Sequence, residues 1–428
     1  MDSNEPQRAG PLAPYRVLEL GSLVAGPFCT SFFADFGAEV IKLEQIEGDP
    51  VRAMGDRVDG KSLFGASMMR NKRLLSVDLR TPEGQQIVLD LVPRCDVVVE
   101  NFRPGVLERW NLSYETLRKI HPSLVMVRLS GFGQDGPYSP RPGYGVIGEA
   151  VSGLRYLIGD DDRPPARVAL PLTDYVAGLY GALGALVALE HRNRTGEGQC
   201  VDATLFESAY SFLRSEVPSY DKLGKIAKRA GSRLPGHVPS NLYQTRDGGF
   251  IHITAGNNSV FRRLVALMGE PALADDPRFA TAVERAANEA QIDRLIADWV
   301  AGHDLAELEK LLLEAEVVAS RVYTVEDIFA DPHFHARDML PQVPDDELGT
   351  LVVPGVVPKL SLTPGRLRRT GGVIGRDSRD VLLEHTALTL EDIQALEAKG
   401  VVRQGARPAV PVPFEPTLES SSLSAGVR

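Results

Sequence analysis

Asp174 is the only charged side chain in an apolar stretch that runs from Ala169 to Leu189, ALPLTDYVAGLYGALGALVAL. The stretch has the composition of a buried helix, and Asp174 stands near its beginning. Aspartate is among the best N-cap residues, because its side-chain oxygen accepts a backbone N–H group that lacks a partner within the helix. Its charge also suits the positive end of the helix dipole. Spacing alone therefore predicts that Asp174 caps a buried helix.

Basic side chains gather around the strand-like segment MRNKRLLSVDLR and around NFRPGVLERW, which follows it. They are Arg70, Lys72, Arg73, Arg80, Arg103 and Arg109. Spaced guanidinium and ammonium groups suit a ligand rich in phosphate, and a solvated charged surface is the alternative. A second place for a phosphate is the turn GSLVAGPF, where Gly21, Gly26 and Pro27 lead into a helix N-terminus. A simple tight turn is the alternative there.

Several common catalytic motifs are missing from the sequence. The first strand-to-helix turn reads LGSLVAGPF and lacks G-x-G-x-x-G, which argues against a nicotinamide dinucleotide enzyme. The sequence also contains no G-x-S-x-G, Walker lysine or H-E-x-x-H motif. Only His333 and His335 are close among the eight histidines, so we predict no metal site.

The elements that must position these residues alternate between strands and helices. A strand at 16–20, a helix that ends at Gly37 and a strand over Glu39–Leu43 form a βαβ unit, which is typical of a parallel sheet. Further strands are predicted at 96–102, 123–133 and 198–207, with a helix over 105–120. From about Leu234 the chain is rich in Pro and Gly and then forms amphipathic helices, which indicates a smaller domain.

Composition excludes some classes of protein. The chain has 428 residues and a formal net charge of -10, which argues against a general nucleic-acid-binding protein. Its three cysteines are far apart, which is typical of reduced thiols in a cytoplasmic protein. The N-terminal residues show no apolar signal core, and the apolar run from Tyr175 to Leu189 is shorter than the roughly 20 residues of a membrane span. We therefore expect a cytoplasmic protein that binds neither nucleic acid nor membrane.

An ordered set of segments carries a resemblance to a known family. The segments include RVLELGSLVAGPFCTSFFADFGAEVIKLE, RNKRLLSVDLRTPEG, DVVVENFRPGVLERW, LSGFGQDGPYSPRPGYG, LTDYVAGLYGALGALVALEHRNRTGEGQCVDATLFE and LEAKGVV. Together they resemble the class III CoA-transferase family, of the formyl-CoA and carnitine transferase type. The resemblance extends from about residue 15 to 402, and it is specific because the segments occur in this order.

The resemblance implies an α/β fold with a doubly wound parallel-sheet large domain made from both chain ends, plus a smaller α+β domain. The large CoA-binding domain would comprise residues 15–225 and 351–402, and the small domain residues 226–350. Independently of the resemblance, we expect residues 1–14 and 403–428 to be disordered, the latter because they are rich in Pro and Ser. The resemblance also implies an interlocked homodimer.

The same resemblance assigns roles to residues. Asp174 aligns with the family's nucleophilic aspartate, and Tyr144 with a residue that lines the acyl site. The implied CoA contacts are Ala25, Val77, Asp78, Leu79, Arg80, Asn101, Phe102, Arg103 and Arg109. Val24 and Gln45 replace polar and basic CoA contacts of the formate enzyme, and RLPGHVPSNLY replaces its glycine-rich loop. Recognition of the adenine and phosphate groups is therefore expected to differ locally.

The implied function is transfer of CoA between carboxylic acids through an acyl-aspartyl anhydride and an aspartyl-CoA thioester. Acyl-CoA and a small carboxylate would be the substrates, with no metal and no redox cofactor. We favour a donor of the succinyl-CoA type and a small dicarboxylate acceptor. LPGHVPSNLY is more similar to the succinyl-CoA-dependent branch, and loop arginines could bind a distal carboxylate. These arginines are Arg103, Arg141, Arg155, Arg163, Arg167 and Arg233.

Three alternatives stay open at this point. The first is an α-methylacyl-CoA racemase, a related family with a histidine where this chain has Tyr144. Racemisation needs an acid and a base on opposite faces of the α-carbon, and a tyrosine with a pKa near 10 is a poor base at neutral pH. The second is a non-catalytic acyl-CoA-binding homologue, which the presence of Asp174 disfavours. The third, a nucleotide-binding oxidoreductase, is disfavoured by the missing glycine motif.

Overall fold

The computed structural model of the chain describes residues 10–405. Within this range the β-strands are β1 Arg16–Glu19, β2 Glu39–Glu44, β3 Arg57–Val58, β4 Lys61–Ser62, β5 Arg73–Val77, β6 Val97–Glu100, β7 Val125–Ser130, β8 Cys200–Thr204, β9 Ser240–Gln244, β10 Phe250–Thr254, β11 Val318–Arg321, β12 Gln342–Asp345, β13 Gly349–Val352 and β14 Val402–Arg403. The α-helices are α1 Ala25–Asp35, α2 Leu63–Met68, α3 Pro82–Leu91, α4 Val106–Arg109, α5 Tyr114–Ile120, α6 Gly145–Val151, α7 Leu172–Thr195, α8 Leu205–Tyr210, α9 Glu216–Leu223, α10 Asn258–Leu267, α11 Ala282–Ala287, α12 Glu289–Val300, α13 Leu305–Glu314, α14 Val325–Ala330, α15 Pro332–Ala336, α16 Ser378–His385 and α17 Leu390–Ala398.

A seven-stranded sheet organises the first compact unit, in the order β14-β5-β2-β1-β6-β7-β8. Six strands run parallel to their neighbours, and only β14 pairs antiparallel, with β5. The predicted α/β fold with a large parallel sheet is therefore confirmed. The antiparallel edge strand β14 was not predicted, because two residues carry too little periodicity to indicate a strand.

Alternate residues of the central strands enter two apolar clusters. Leu18 of β1 and Ile41 of β2 pack with side chains of α3, α5, α16 and α17. Their neighbours Val17 and Val40 pack instead with α1 and α7. Because successive strand residues point to opposite faces, helices cover both faces of this sheet.

Helix α7 joins the second cluster through small side chains. Ala177, Ala182, Ala185 and Ala188 are buried there with Leu189. Small residues allow a close approach between α7 and the sheet. Among residues 10–405, α7 is the helix whose length and composition would suit a membrane span, a test that core helices of other proteins also pass.

The chain divides into two compact units whose boundaries differ from the predicted domains. Within the described residues, the first unit comprises 10–151, 170–211 and 336–405, and the second comprises 152–169 and 212–335. Residues 152–169 join the second unit, where Gly231 N–H donates to the Gly159 carbonyl at 3.0 Å. The hairpin β12–β13 joins the first unit, where Thr370 N–H donates to the Pro344 carbonyl at 3.0 Å. Local composition does not reveal such long-range hydrogen bonds, which explains the displaced boundaries.

The second unit has its own sheet and core. Its strands follow the order β11-β10-β9, and both pairs are antiparallel. The core includes Ile251, Ile253, Phe261 and Ile296. The Arg285 side chain is fully buried in this unit and donates to three backbone carbonyls, those of Val238, Gly256 and Phe279.

Two predicted elements are interrupted, and both chain ends differ in part from the prediction. The helix expected over 105–120 is two helices, α4 and α5, separated near Asn111, whose φ is 56°. The strand expected over 198–207 ends at Thr204, whose hydroxyl caps α8 by accepting from Glu207 N–H at 3.0 Å.

Residues 10–14 form turns, with Leu12 N–H donating to the Phe36 carbonyl at 3.1 Å, contrary to the predicted disorder. At the other end, Arg403 belongs to β14 and Gly405 N–H donates to the Gly375 carbonyl at 3.0 Å, which also contradicts the predicted disorder from residue 403. The remainder of the predicted disordered ends, 1–9 and 406–428, lies outside the described residues.

Candidate active site

Asp174 lies in the first turn of α7 but does not cap the helix. The N-cap position belongs to Pro171, and α7 begins at Leu172, so Asp174 is the third helical residue. The prediction that Asp174 is the N-cap residue is therefore wrong. The carboxylate is half-buried and lies at the positive end of the helix dipole, which favours its ionised form.

Gly145 leaves the space that the Asp174 carboxylate occupies. A β-carbon added to Gly145 would lie 1.9 Å from Oδ2 of Asp174 and 2.8 Å from Oγ1 of Thr173. The Thr173 hydroxyl is buried and donates to the Gly145 carbonyl at 2.7 Å. Tyr144, the predicted acyl-site residue, immediately precedes this glycine and is 63% exposed. The fold therefore brings Tyr144 and Asp174 together through the backbone of Gly145.

The N-terminal end of α1 packs against α7 one turn beyond Asp174. A β-carbon added to Gly178 would lie 2.9 Å from the Ala25 carbonyl oxygen, so only glycine permits this approach. The rings of Phe28 and Tyr175 lie with their centroids 4.6 Å apart. Ala25, a predicted CoA contact, is thereby fixed beside the helix that carries Asp174.

Five predicted CoA contacts line one cavity of about 220 Å³: Val77, Asp78, Leu79, Arg80 and Phe102. The cavity lies at the carboxyl ends of β1, β2, β5 and β6. Ligands of open α/β sheets commonly bind at this edge, where the strand order reverses. Gly21 and Ser22 of the turn after β1 also line this cavity, as does Gln45.

The remaining predicted CoA contacts lie outside the lining of that cavity. The Asn101 side chain bonds to both backbone groups of Ser22, accepting from N–H at 2.7 Å and donating to the carbonyl at 2.8 Å. Arg103 and Arg109 are exposed, and Arg109 immediately precedes the cavity residue Trp110. Asn101 thus holds the turn after β1, while the two arginines present their guanidinium groups to solvent.

The basic side chains around β5 are engaged by carboxylates. Lys72 is fully buried with its Nζ atom 2.9 Å from Glu19 Oε2, so it belongs neither to a phosphate site nor to a solvated surface. Arg70 contacts Asp35 at 2.6 Å, and Arg73 contacts Glu39 at 2.5 Å. The exposed Arg80 forms two hydrogen bonds with Asp78, at 2.8 and 2.9 Å, and this contact lowers the pKa of Asp78.

A buried carboxyl group lies directly before Asn101 and Phe102. Glu100 accepts from Phe102 N–H at 2.7 Å and from Arg128 Nε at 2.7 Å. Burial nevertheless raises the pKa of Glu100 to about 7. Arg128 also contacts Glu108 at 2.8 Å, so it keeps a carboxylate partner when Glu100 is protonated.

A second cavity, of about 280 Å³, contains none of the predicted site residues. Its cationic side chains include Arg52, which contacts Glu44 at 2.8 Å, and Lys61, which pairs with Glu347. The smaller cavity at the carboxyl edge of the sheet is therefore the better candidate for an acyl-CoA.

Glu39, Glu384 and His385 are close enough to bind one metal ion. Arg16 and Arg73 already contact Glu39, each at 2.5 Å. Two guanidinium groups beside the same carboxylate disfavour a divalent cation, because like charges repel each other. The same cations, with His385, overcome the effect of burial and hold the pKa of Glu39 far below its usual range.

Sequence reasoning missed Gly145, Thr173 and Gly178 as parts of the site. Each is adjacent to a predicted site residue or one helical turn from it. A glycine beside a predicted site residue could have indicated these positions, because glycine often occurs where another segment approaches the backbone closely. Which neighbour approaches, however, depends on contacts between distant segments.

Of the six loop arginines considered for a distal carboxylate, Arg103 and Arg141 share the compact unit of Asp174. The Arg141 guanidinium lies 3.5 Å from the ring centroid of Tyr138, in the loop that leads to Tyr144. The other four, Arg155, Arg163, Arg167 and Arg233, belong to the second unit.

The fold and the site together define an α/β protein with a carboxylate at a helix N-terminus and a cavity at the carboxyl edge of its parallel sheet. Residues 12–378 match the model of CoA-transferase family III. Succinyl-CoA–D-citramalate CoA-transferase of Chloroflexus aurantiacus is 45% identical over 404 residues, which cover 94% of this chain and 100% of the relative. Succinate–glutarate CoA-transferase of Agrobacterium fabrum is 35% identical over 402 residues, covering 92% and 98%.

Solved structures agree with these sequence relatives. A CaiB/BaiF family protein from Brucella suis superposes with a TM-score of 0.79 at 34% identity, covering 88% of this chain and 99% of the other. The chain therefore belongs to CoA-transferase family III and is a class III CoA-transferase. The names of both sequence relatives favour CoA transfer over the racemase alternative.

Proposed function

We propose that this protein transfers CoA from succinyl-CoA to a small dicarboxylic acid, with Asp174 as the nucleophile. The observation that carries the proposal is the placement of Asp174. Its carboxylate fits against the backbone of Gly145, on a helix packed against the turn that borders the cavity of predicted CoA contacts. The positive end of α7 supports an ionised carboxylate there.

The proposed reaction consists of two symmetrical halves. A carboxylate oxygen of Asp174 attacks the thioester carbonyl, the C–S bond breaks, and the products are an acyl-aspartyl anhydride and CoA thiolate. The thiolate then attacks the aspartyl carbonyl, which gives an aspartyl-CoA thioester and releases the donor acid. The acceptor carboxylate attacks the carbonyl of that thioester, the C–S bond breaks, and the products are a second acyl-aspartyl anhydride and CoA thiolate. The thiolate then attacks the acyl carbonyl that came from the acceptor. This step gives the new acyl-CoA and restores the Asp174 carboxylate, with no net change in protons or electrons.

The substrate class rests on relatives and on charge. Succinyl-CoA or succinate appears in the names of both sequence relatives, together with citramalate or glutarate. A dicarboxylate keeps one carboxylate that does not react, and a guanidinium group suits it best. Arg141 is our candidate for that contact, because its loop leads directly to Tyr144 and Gly145.

The decisive experiment combines intact mass with exchange kinetics. Wild-type protein incubated with succinyl-CoA is expected to gain the mass of a CoA adduct that maps to Asp174. Asp174→Ala and the nearly isosteric Asp174→Asn should lose both the adduct and exchange with C4 to C6 diacids. Asp275→Asn, an exposed aspartate of the second unit, is the matched control. Near-wild-type exchange by Asp174→Ala would contradict the mechanism.

We also propose that two chains form an interlocked homodimer, each with a doubly wound large domain. The strand order and the two apolar clusters on opposite faces of the sheet support the doubly wound arrangement. The outer face of α7 supports the dimer, since Leu179, Leu183 and Val187 are 52–62% exposed in the single chain.

A cytoplasmic location is also proposed, supported by three cysteines without disulfide bonds.

A further inference from the structure

Four charged side chains are buried together between the sheet and α1. They are Glu19, Lys42, Asp49 and Lys72, which we term the buried ion cluster. Lys42 Nζ lies 3.0 Å from Glu19 Oε1 and 2.7 Å from Asp49 Oδ2, and Lys72 Nζ lies 2.9 Å from Glu19 Oε2. Thr30 of α1 donates to Glu19 at 2.5 Å. Burial of four charges is unfavourable, and an apolar interface is often equally stable, so stability alone does not explain the cluster.

The cluster holds the backbone of residues 21–27, which comprise the turn after β1 and the first three residues of α1 and are called the turn below. Lys42 donates to the Gly21 carbonyl, and Lys72 donates to the Pro27 carbonyl at 2.6 Å. Asp49 accepts from Leu23 N–H at 3.1 Å. Together with the two hydrogen bonds between Asn101 and Ser22, these contacts bind the segment at four residues, Gly21, Ser22, Leu23 and Pro27.

Residue 23 of this turn has an unfavourable backbone conformation. Leu23 has a φ of 64°, in the left-handed region that a bulky side chain rarely adopts. Such residues persist only where surrounding contacts determine the conformation, and they concentrate at functional sites. The hydrogen bond from Leu23 N–H to Asp49 supplies such a contact.

The turn separates the predicted CoA cavity from the helix that carries Asp174. Gly21 and Ser22 line the cavity at one end of the turn. At the other end, the Ala25 carbonyl packs against Gly178, one helical turn beyond Asp174. A shift of residues 21–27 would therefore move the cavity wall relative to the carboxylate.

We propose that the buried ion cluster is a positioning device, which fixes residues 21–27 so that a thioester held in the cavity meets Asp174. The inference rests on the proposed function. The members are positioning residues, because they contact the turn rather than the reacting atoms. A displacement of about 1 Å between reacting groups can lower a rate about 100-fold.

The test uses the double variant Glu19→Leu/Lys72→Met, which removes one positive and one negative charge together. Lys42 keeps Asp49 as its partner, and the net charge is unchanged. We expect a folded protein whose kcat for CoA exchange falls about 10- to 100-fold while the KM for succinyl-CoA changes less than about threefold. Thr30→Val should lower kcat less, and Thr30→Ser, which keeps the hydroxyl, should restore it.

The matched control is Arg16→Met, which breaks a pair at another ion cluster of this sheet. Glu39 there contacts two arginines, much as Glu19 contacts two lysines. We expect its kcat to stay within about twofold of wild type, because Arg16, Arg73 and His385, which bond to Glu39, all lie outside residues 21–27.

Hydrogen exchange gives a readout that is independent of activity. Amide exchange in a peptide covering residues 21–27 should accelerate in the double variant and not in Arg16→Met. Unchanged amide hydrogen exchange in this peptide of the double variant would overturn the inference. A kcat within about twofold of wild type in the folded double variant would do the same. If the double variant does not fold, unchanged kcat in Thr30→Val has the same consequence. Absence of a CoA adduct in wild type would instead contradict the proposed function. Accelerated amide hydrogen exchange in the double variant would still support the positioning of the turn in that case.

Discussion

At the scale of single residues, the site depends on how little space separates Asp174 from Gly145. The side chain of alanine would already collide with the carboxylate, at 1.9 Å from Oδ2. The Thr173 hydroxyl also holds this backbone, through its 2.7 Å hydrogen bond to the Gly145 carbonyl. The carboxylate therefore lies directly against the Gly145 backbone, which has little freedom to adjust.

Gly145→Ala should displace the carboxylate and leave the predicted CoA cavity unchanged. We expect kcat to fall about 100-fold or more, with little change in the KM for the acyl-CoA donor. Steady-state exchange kinetics would measure both quantities. Gly302→Ala serves as the control, because its new β-carbon would come no closer than 3.2 Å, to the Trp299 carbonyl. Undiminished kcat in Gly145→Ala would show that Asp174 needs no fixed orientation.

At the scale of elements, α1 and α7 meet through glycine. Gly178 allows the Ala25 carbonyl to approach α7, and Gly181 similarly contacts Cys29 and β7. Larger residues would separate the helices, and the turn that precedes α1 would move with them. The contact therefore links the stability of the unit to the geometry of the site.

Gly178→Ala should destabilise the protein although alanine is the better helix former. The helical preference contributes about 1 kcal/mol, whereas overpacking against the backbone of α1 costs about 1–3 kcal/mol. We expect a lower urea midpoint and a lower kcat. Gly184→Ala is the control on the same helix, since its added β-carbon meets the Val201 side chain and not the backbone of α1. Equal stability of the two variants would contradict this prediction.

At the scale of the whole molecule, Glu100 makes stability depend on pH. Burial raises the pKa of Glu100 to about 7 in the folded protein, whereas its ordinary value is 4.5. Between these values the folded state binds more protons than the unfolded state, so stability falls as pH rises. Relative to Glu100→Gln, the wild-type free energy of unfolding should fall by on the order of 3 kcal/mol between pH 4.5 and 8. Urea unfolding of both proteins at several pH values measures this change. A difference in unfolding free energy that stays constant with pH would contradict the raised pKa of Glu100.

The proposed dimer makes a second prediction at this scale. One chain has a mass of 46.5 kDa, and wild-type protein should sediment at about twice that mass. Leu183→Glu on the outer face of α7 should weaken the dimer, because it places a charge in an apolar interface. Leu313→Glu, on an exposed position of α13, is the control. A wild-type monomer at micromolar concentration would refute the proposal.

Much of the fold follows from local patterns in the sequence. The periodicity of 16–43 predicted β1, α1 and β2, and the order of segments indicated the family. Asp174 was selected as the candidate nucleophile on the basis of resemblance, because its local pattern indicated only a helix cap. These features are readable because hydrophobic periodicity and turn residues act over short distances along the chain.

Tertiary structure decided how distant segments meet. Lys72 belongs to a basic cluster in the sequence, yet it is buried against Glu19, 53 positions away. Gly145 and Asp174 are 29 positions apart, and nothing in either segment predicts that they share one space. By itself the sequence indicated the main strands and helices of the large sheet, the family and the candidate nucleophile. Only the tertiary structure decided what orients Asp174 and what holds the turn beside it, because those contacts depend on packing between segments that no local pattern connects.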